Sequence, residues 1–283
     1  LSKSVRRSYP TDAAVWTERL RSRVQFVRCR DRSVEIRLCR RGHSHLESVR
    51  RRPDFVNRIS AVCRMSIRAV LFDLDGTLLD TLVDVANAAN AALREGGFPE
   101  HPLESYRHLL GGGMQRLFAD ALPLDARTPE QIEQSVAACR RHYDRNWNKT
   151  TRPYAGVPEL VVALRKRGLN VAVLSNKPHD FTRRCIQAHF GENGEEGAIG
   201  DSLGGPIGPF QLVVGQRLGV PAKPDPTSAL EIAAMLRVQP EEFLYLGDTS
   251  IDMQTARDAG MHPIGVLWGF RDREELIGAG AEA

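Results

Sequence analysis

The hydrophobic positions of this 283-residue chain change their period several times. Residues 1–64 keep no helical or strand period, although scattered apolar residues between 24 and 38 suit a weak strand or two. The first clear signal is Ala69-Val70-Leu71-Phe72. A short, continuous apolar run, partly β-branched, predicts a buried strand of a parallel sheet. Over 81–95 the pattern becomes helical, with Leu82, Val85, Ala89 and Leu93 on one face and Gly96-Gly97 as the stop. Further helices are predicted near 103–110, 115–121 and 129–147. Gly111-Gly112-Gly113 and Leu122-Pro123 separate them. No strong strand is predicted between 82 and 150.

From Pro153 onward strands and helices alternate. Helices are predicted at 158–167, 179–189, 226–236 and 251–259, and strands at 171–174, 211–214, 243–246 and 264–267. The Gly-rich stretch 191–208 reads as a mobile loop. The whole pattern predicts an α/β protein: a doubly wound parallel sheet with a helical insert after its first strand.

Charge divides the chain. Residues 1–64 carry 16 Arg and one Lys against six acids, whereas the remainder is net acidic by seven charges. The overall charge of +4 therefore describes the first segment and argues nothing about nucleic acid for the body. So charged a segment cannot bury enough apolar surface to order itself, which predicts a largely disordered arm. Met65 stands directly before the first strand and is the expected natural start. The five cysteines form no C-x-x-C pair, which favours a reducing compartment, and the cytoplasm is the expected location. Cys29, Cys39, His43 and His45 match no common zinc spacing. No apolar run approaches the roughly 18 residues of a membrane span, and no secretory leader is evident.

The candidate chemistry sits at predicted strand ends. Asp73 and Asp75 follow the first strand, and Gly76 permits a tight turn. Ligands of open α/β sheets bind beyond the carboxyl ends of the strands. Two acids there suit a hard divalent cation and a nucleophile, and they also suit a solvated turn. Ser175 follows the next strand, where its hydroxyl can donate to a phosphoryl oxygen or cap a helix. Lys223, in Ala-Lys-Pro-Asp-Pro, is a fixed point charge or a solvated loop residue. Asp248 ends a third strand and Asp252 lies one helical turn on, so both can face one site.

The order Asp73-Leu74-Asp75-Gly76-Thr77, then Ser175, Lys223 and Gly247-Asp248 with Asp252, resembles the haloacid dehalogenase-like (HAD) hydrolase superfamily. The resemblance covers about residues 67–270. Ser175-Asn176-Lys177-Pro178, Lys223-Pro224-Asp225-Pro226 and Gly265-Val266-Leu267-Trp268-Gly269 resemble the phrasing of its bacterial phosphoglycolate phosphatases. Two departures stand out: the long 191–208 link, and an end at Ala283 short of the further strand and helix usual in relatives.

The resemblance implies a HAD-like core at 65–81 and 151–283, a C1-type helical cap at 82–150 and a basic extension at 1–64. It implies Asp73 as nucleophile and Asp75 as general acid and base. Ser175, Asn176 and Lys223 would hold the phosphoryl group. Mg²⁺ would be held by Asp73, the Asp75 backbone carbonyl and Asp248, with Asp252 in support. Arg116 is a candidate substrate contact and Gly111–Gly113 a candidate contact loop. The expected substrate is a small phosphorylated metabolite, first 2-phosphoglycolate. Alternatives are a β-phosphoglucomutase-like phosphotransferase, a pyrophosphatase, or a binding protein whose basic arm meets nucleic acid or an acidic partner.

Overall fold

The structure is a computed structural model. It describes residues 24–26, 36–38, 67–191 and 204–282. The expected disorder of the arm, the cysteine–histidine set, the start at Met65 and most of the Gly-rich link lie outside the described residues. The chain divides into two units, 1–67 and 68–283. Of the first, an antiparallel pair is described: β1 (Val24–Phe26) and β2 (Ile36–Leu38), with Gln25 opposite Arg37.

The second unit begins with β3 (Ala69–Phe72), every residue of which is buried. The chain then leaves the sheet through β4 (Leu79–Asp80) and enters α1 (Leu82–Glu95). A short helix α2 (Tyr106–Leu109) and α3 (Gly113–Ala121) follow. The longest helix among the described residues, α4 (Pro129–Asn146), starts with Thr128 as its cap and Pro129 in its first turn. The predicted face of α1 is the buried one, and it packs on α4. Leu82, Val85, Ala89 and Leu93 share a core with Tyr106, Leu117, Phe118, Cys139 and Tyr143. Burying each large apolar side chain there contributes about 1.5–3 kcal/mol, offset by the entropy of ordering it.

The chain returns through β5 (Arg152–Pro153), antiparallel to β4, with Leu79 opposite Pro153. Beside this pair the buried Asp84 carboxylate accepts from the backbone N–H and hydroxyl of both Thr150 and Thr151, at 2.8–3.1 Å. The first turn of α1 is thereby tied to the returning segment.

The alternation then runs α5 (Val157–Lys166), β6 (Asn170–Pro178), α6 (His179–Phe190), β7 (Leu212–Gln216), α7 (Thr227–Leu236), β8 (Phe243–Gly247), α8 (Ser250–Asp258), β9 (His262–Gly265) and α9 (Arg273–Gly278). The sheet order is β7-β6-β3-β8-β9, parallel throughout, as the expected fold class requires. With β3 central, Phe72 is level with Val173 on one side and Leu246 on the other. Asp73, Ser175 and Asp248 therefore emerge at one end of the sheet.

One local expectation needs correction. The last strand is β9, two residues earlier than predicted, because the chain bends after Gly265. Val266 then donates to the Gly247 carbonyl, and 266–270 folds over Asp248. A short helix, α9, follows that bend. Six residues are too few to show a period, and its marker is the Asp272 cap on the Glu275 N–H. The two-residue pair β4–β5 is also too short to carry an alternation. Cys139 and Cys185, the two described cysteines, are buried and free. No helix among the described residues is long and apolar enough to cross a membrane.

Candidate active site

Asp73 directly follows β3 and is buried, with its N–H donating to the Leu246 carbonyl at 2.9 Å. The Lys223 ammonium donates to Asp73 Oδ1 at 2.7 Å, Asp252 Oδ1 at 2.7 Å and the Leu174 carbonyl at 3.2 Å. All three of its N–H donors are thus used. The Asn176 side chain holds Lys223 in place. Its Oδ1 accepts from the Lys223 N–H at 2.8 Å, and its Nδ2 donates to the Lys223 carbonyl at 3.0 Å. Its other amide hydrogen goes to the Gly111 carbonyl, also at 3.0 Å. One amide thereby links the lysine loop to the helical layer.

Asp248 is fully buried. It accepts from the Thr77 hydroxyl at 2.9 Å and the Phe270 N–H at 2.8 Å. Gly76 turns with φ +89°, and a Cβ there would stand 2.3 Å from Asp248 Oδ2. A Cβ on Gly269 would meet Asp248 Cβ at 2.3 Å. Both glycines are needed for the close approach of backbone to this carboxylate. Asp252 caps α8 with Thr249, accepting from its N–H at 3.1 Å and its hydroxyl at 2.6 Å.

Carboxylate oxygens of Asp73, Asp248 and Asp252 lie within 4.8 Å of one another. Burial pushes the Asp73 carboxyl up to about 7, against the pull of Lys223 and with the push of Asp252. Burial, with Asp252 and Asp73 nearby, holds Asp248 well above the usual carboxylate range. Burial alone would lower the Lys223 ammonium, but Asp252 and Asp73 outweigh it and hold it well above its ordinary value. One ammonium answers two of the three acids, and no cation among the described residues pairs with Asp248. Such a set of buried, oxygen-only donors fits a hard divalent cation.

The chain as a whole is similar to known proteins. The sequence family described as haloacid dehalogenase-like hydrolase matches residues 67–260. The chain belongs to the haloacid dehalogenase-like hydrolases. A phosphoglycolate phosphatase of Aquifex aeolicus is 32% identical over 204 residues, covering 72% of this chain and 86% of the relative. An N-acetylmuramic acid 6-phosphate phosphatase of Pseudomonas aeruginosa is 32% identical over 212 residues, covering 75% and 87%. A crystal structure from Lactobacillus delbrueckii subsp. bulgaricus, provisionally named a phosphoglycolate phosphatase, superposes with a TM-score of 0.68. It is 27% identical and covers 77% of this chain and 93% of its own.

The second acid of this HAD-like site, Asp75, has a separate environment. Its carboxylate accepts from the Thr81 hydroxyl at 2.7 Å and from the Lys177 ammonium at 3.0 and 3.2 Å. Lys177 is buried. Burial would lower it, but Asp75 and its other neighbours raise it well above its ordinary value. Its ammonium lies 4.6 Å from the centre of the Tyr143 ring. Ser175 Oγ accepts from the Lys177 N–H at 3.2 Å.

Asp73, Asp75, Ser175 and Asn176 form the floor of a cleft, and Lys177 stands at its edge against Tyr143. Gly111, Gly113, Met114, Leu117 and Tyr143 of the helical layer wall it. The structure does not bring Arg116 there. Its side chain is largely exposed and pairs with Asp120 at 2.6 Å, one turn along the outer face of α3. Conversely, sequence reasoning missed Lys177 and Tyr143 as site residues. Strand alternation puts positions i and i+2 on one face, so Ser175 pointed to Lys177. Tyr143 gave no such signal.

Proposed function

We propose that the protein is a Mg²⁺-dependent phosphomonoester hydrolase working through an aspartyl-phosphate, with 2-phosphoglycolate as its preferred substrate. The observation that carries the reading is the Lys223 ammonium seated between Asp73 and Asp252 beneath the cleft. A fixed positive charge beside a buried carboxylate suits attack on an anionic phosphoryl group.

In the first step an Asp73 oxygen bonds to phosphorus as the ester P–O bond breaks, and Asp75 gives its proton to the leaving oxygen. In the second, Asp75 takes a proton from water, whose oxygen bonds to phosphorus as the Asp73–phosphorus bond breaks. The Ser175 hydroxyl, the Asn176 N–H and Lys223 hold the phosphoryl oxygens. Asp73, the Asp75 carbonyl and Asp248 would hold Mg²⁺, which would supply neutralisation of phosphoryl charge. Asp252, already engaged by Lys223 and Thr249, supports that set by fixing the lysine. Residues 82–150 act as the cap that excludes water. The names of the curated relatives support a phosphatase acting on a small phosphorylated metabolite, and a cytoplasmic location suits such a substrate.

The test is a panel of 2-phosphoglycolate, N-acetylmuramic acid 6-phosphate, glucose 1-phosphate and pyrophosphate, assayed with Mg²⁺ and after chelation. The second ester is included because a relative of that name matches equally well. We expect the highest kcat/KM for 2-phosphoglycolate, loss of turnover on chelation and recovery with Mg²⁺. A clear preference for another member refutes the substrate assignment. Normal turnover by folded Asp73→Asn protein refutes the mechanism.

A further inference from the structure

We infer that Lys177 and Tyr143 form a subsite for a carboxylate on the leaving group, next to the scissile oxygen. The inference rests on the reading of Asp75 as the acid that protonates that oxygen. Among the described residues lining the cleft, Lys177 is the one cation; Lys223 lies beneath, committed to Asp73 and Asp252. The Lys177 ammonium sits 3.0 Å from Asp75 Oδ1, hence on the leaving-group side of the phosphoryl position. Its bonds to Asp75 use at most two of three N–H donors. The third is left on the side of Tyr143, which also lines the cleft.

The Tyr143 hydroxyl is buried beside the Lys177 ammonium and the Cys185 thiol, with no carboxylate or carbonyl acceptor among the described residues. A buried phenolic O–H flanked only by a cation and a weakly accepting thiol calls for a stronger acceptor. Elsewhere the wall is apolar: Val85, Leu110, Met114, Leu117 and Pro178. An apolar chamber with one ammonium and one phenolic donor discriminates by charge. It accepts a small leaving group bearing a carboxylate and leaves its neutral counterpart without a partner for Lys177.

The experiment compares 2-phosphoglycolate with 2-hydroxyethyl phosphate, which replaces the carboxylate by a neutral alcohol of similar size. The wild-type protein should favour the former. Lys177→Met should lower the ratio of the two kcat/KM values by roughly 10- to 100-fold. Lys177→Arg should recover part of that ratio, and Tyr143→Phe should lower it less than Lys177→Met. Glycolate should also inhibit the wild type competitively, at concentrations where ethylene glycol does not. That readout needs no variant to fold. Equal losses on both esters in Lys177→Met would show that the lysine acts only through Asp75, and would overturn the subsite. So would a wild type that turns over both esters without preference, or one indifferent to glycolate. A wild type that hydrolyses no phosphate ester refutes the phosphatase reading, and the subsite with it.

Discussion

Two buried lysines serve the two acids that follow the central strand, and they are held in different ways. Lys223 spends its three donors on Asp73, Asp252 and the Leu174 carbonyl, while Asn176 fixes its backbone from both sides. These partners belong to the parallel sheet, to the residue that follows β3, or to α8, the helix packed beside the sheet. Lys177 is tied to one carboxylate and leans on the face of Tyr143, a residue of α4. Its surroundings form only where the helical layer meets the sheet. The floor of the site is thus set by one body of packing, and the wall by the meeting of two.

The sharpest way to break this contrast is to remove each ammonium. Lys223→Met leaves Asp73 and Asp252 buried together without compensation. It should cost about 3–5 kcal/mol of stability and reduce kcat on the order of 10³-fold for every ester. Denaturant titration and steady-state kinetics measure both. If Lys223→Met were no worse than Lys177→Met on the neutral ester, the distinction between floor and wall would fail.

A smaller effect is expected where the helical layer joins the sheet. Burial pushes Asp84 up, but the hydrogen bonds from Thr150 and Thr151 outweigh it and hold the carboxyl below its ordinary value. Asp84→Asn should cost about 1–3 kcal/mol, since an amide cannot accept from all four donors. A depressed folded value means that the native state binds the proton less readily than the unfolded chain does. The contribution is therefore complete above the unfolded value, near pH 4, and is lost as the pH falls through the folded one. The deficit of Asp84→Asn against wild type should shrink over that acid range. A deficit constant down to pH 2 would show that packing, and not the ionised carboxylate, is responsible.

The least change is expected from Arg116→Ala. An exposed i,i+4 pair with Asp120 contributes little. Melting should stay within about 2 °C and kcat/KM within about twofold. A large rise in KM would return Arg116 to the substrate.

The floor was the more legible of the two regions. Apolar runs of four residues gave β3 and the body of β8, and each acid stood directly after its strand. Parallel pairing then brings strand ends to one level whatever the connections between them. The wall depends on the phase of helices, which their residues fix only jointly. On α3 the apolar face is Met114, Leu117, Phe118 and Ala121, and that phase turns Arg116 outward. Tyr143 reaches the cleft through the packing of α4 on α1, which no local pattern encodes. The Asp84 clamp was equally hidden, since its partners stand 66 and 67 residues away.

The pairing of β4 with β5 has a consequence for how such a protein can change. The chain departs for the helical layer and comes back through two strands lying side by side. The 71 residues 81–151 thus leave and rejoin the rest of the chain through one double-stranded stalk. Lengthening, shortening or exchanging what hangs there alters neither the spacing of the stalk nor the order of the sheet. Recognition and chemistry can then diverge at separate rates within one gene, with the stalk as the joint across which new lids are tried on an old hearth.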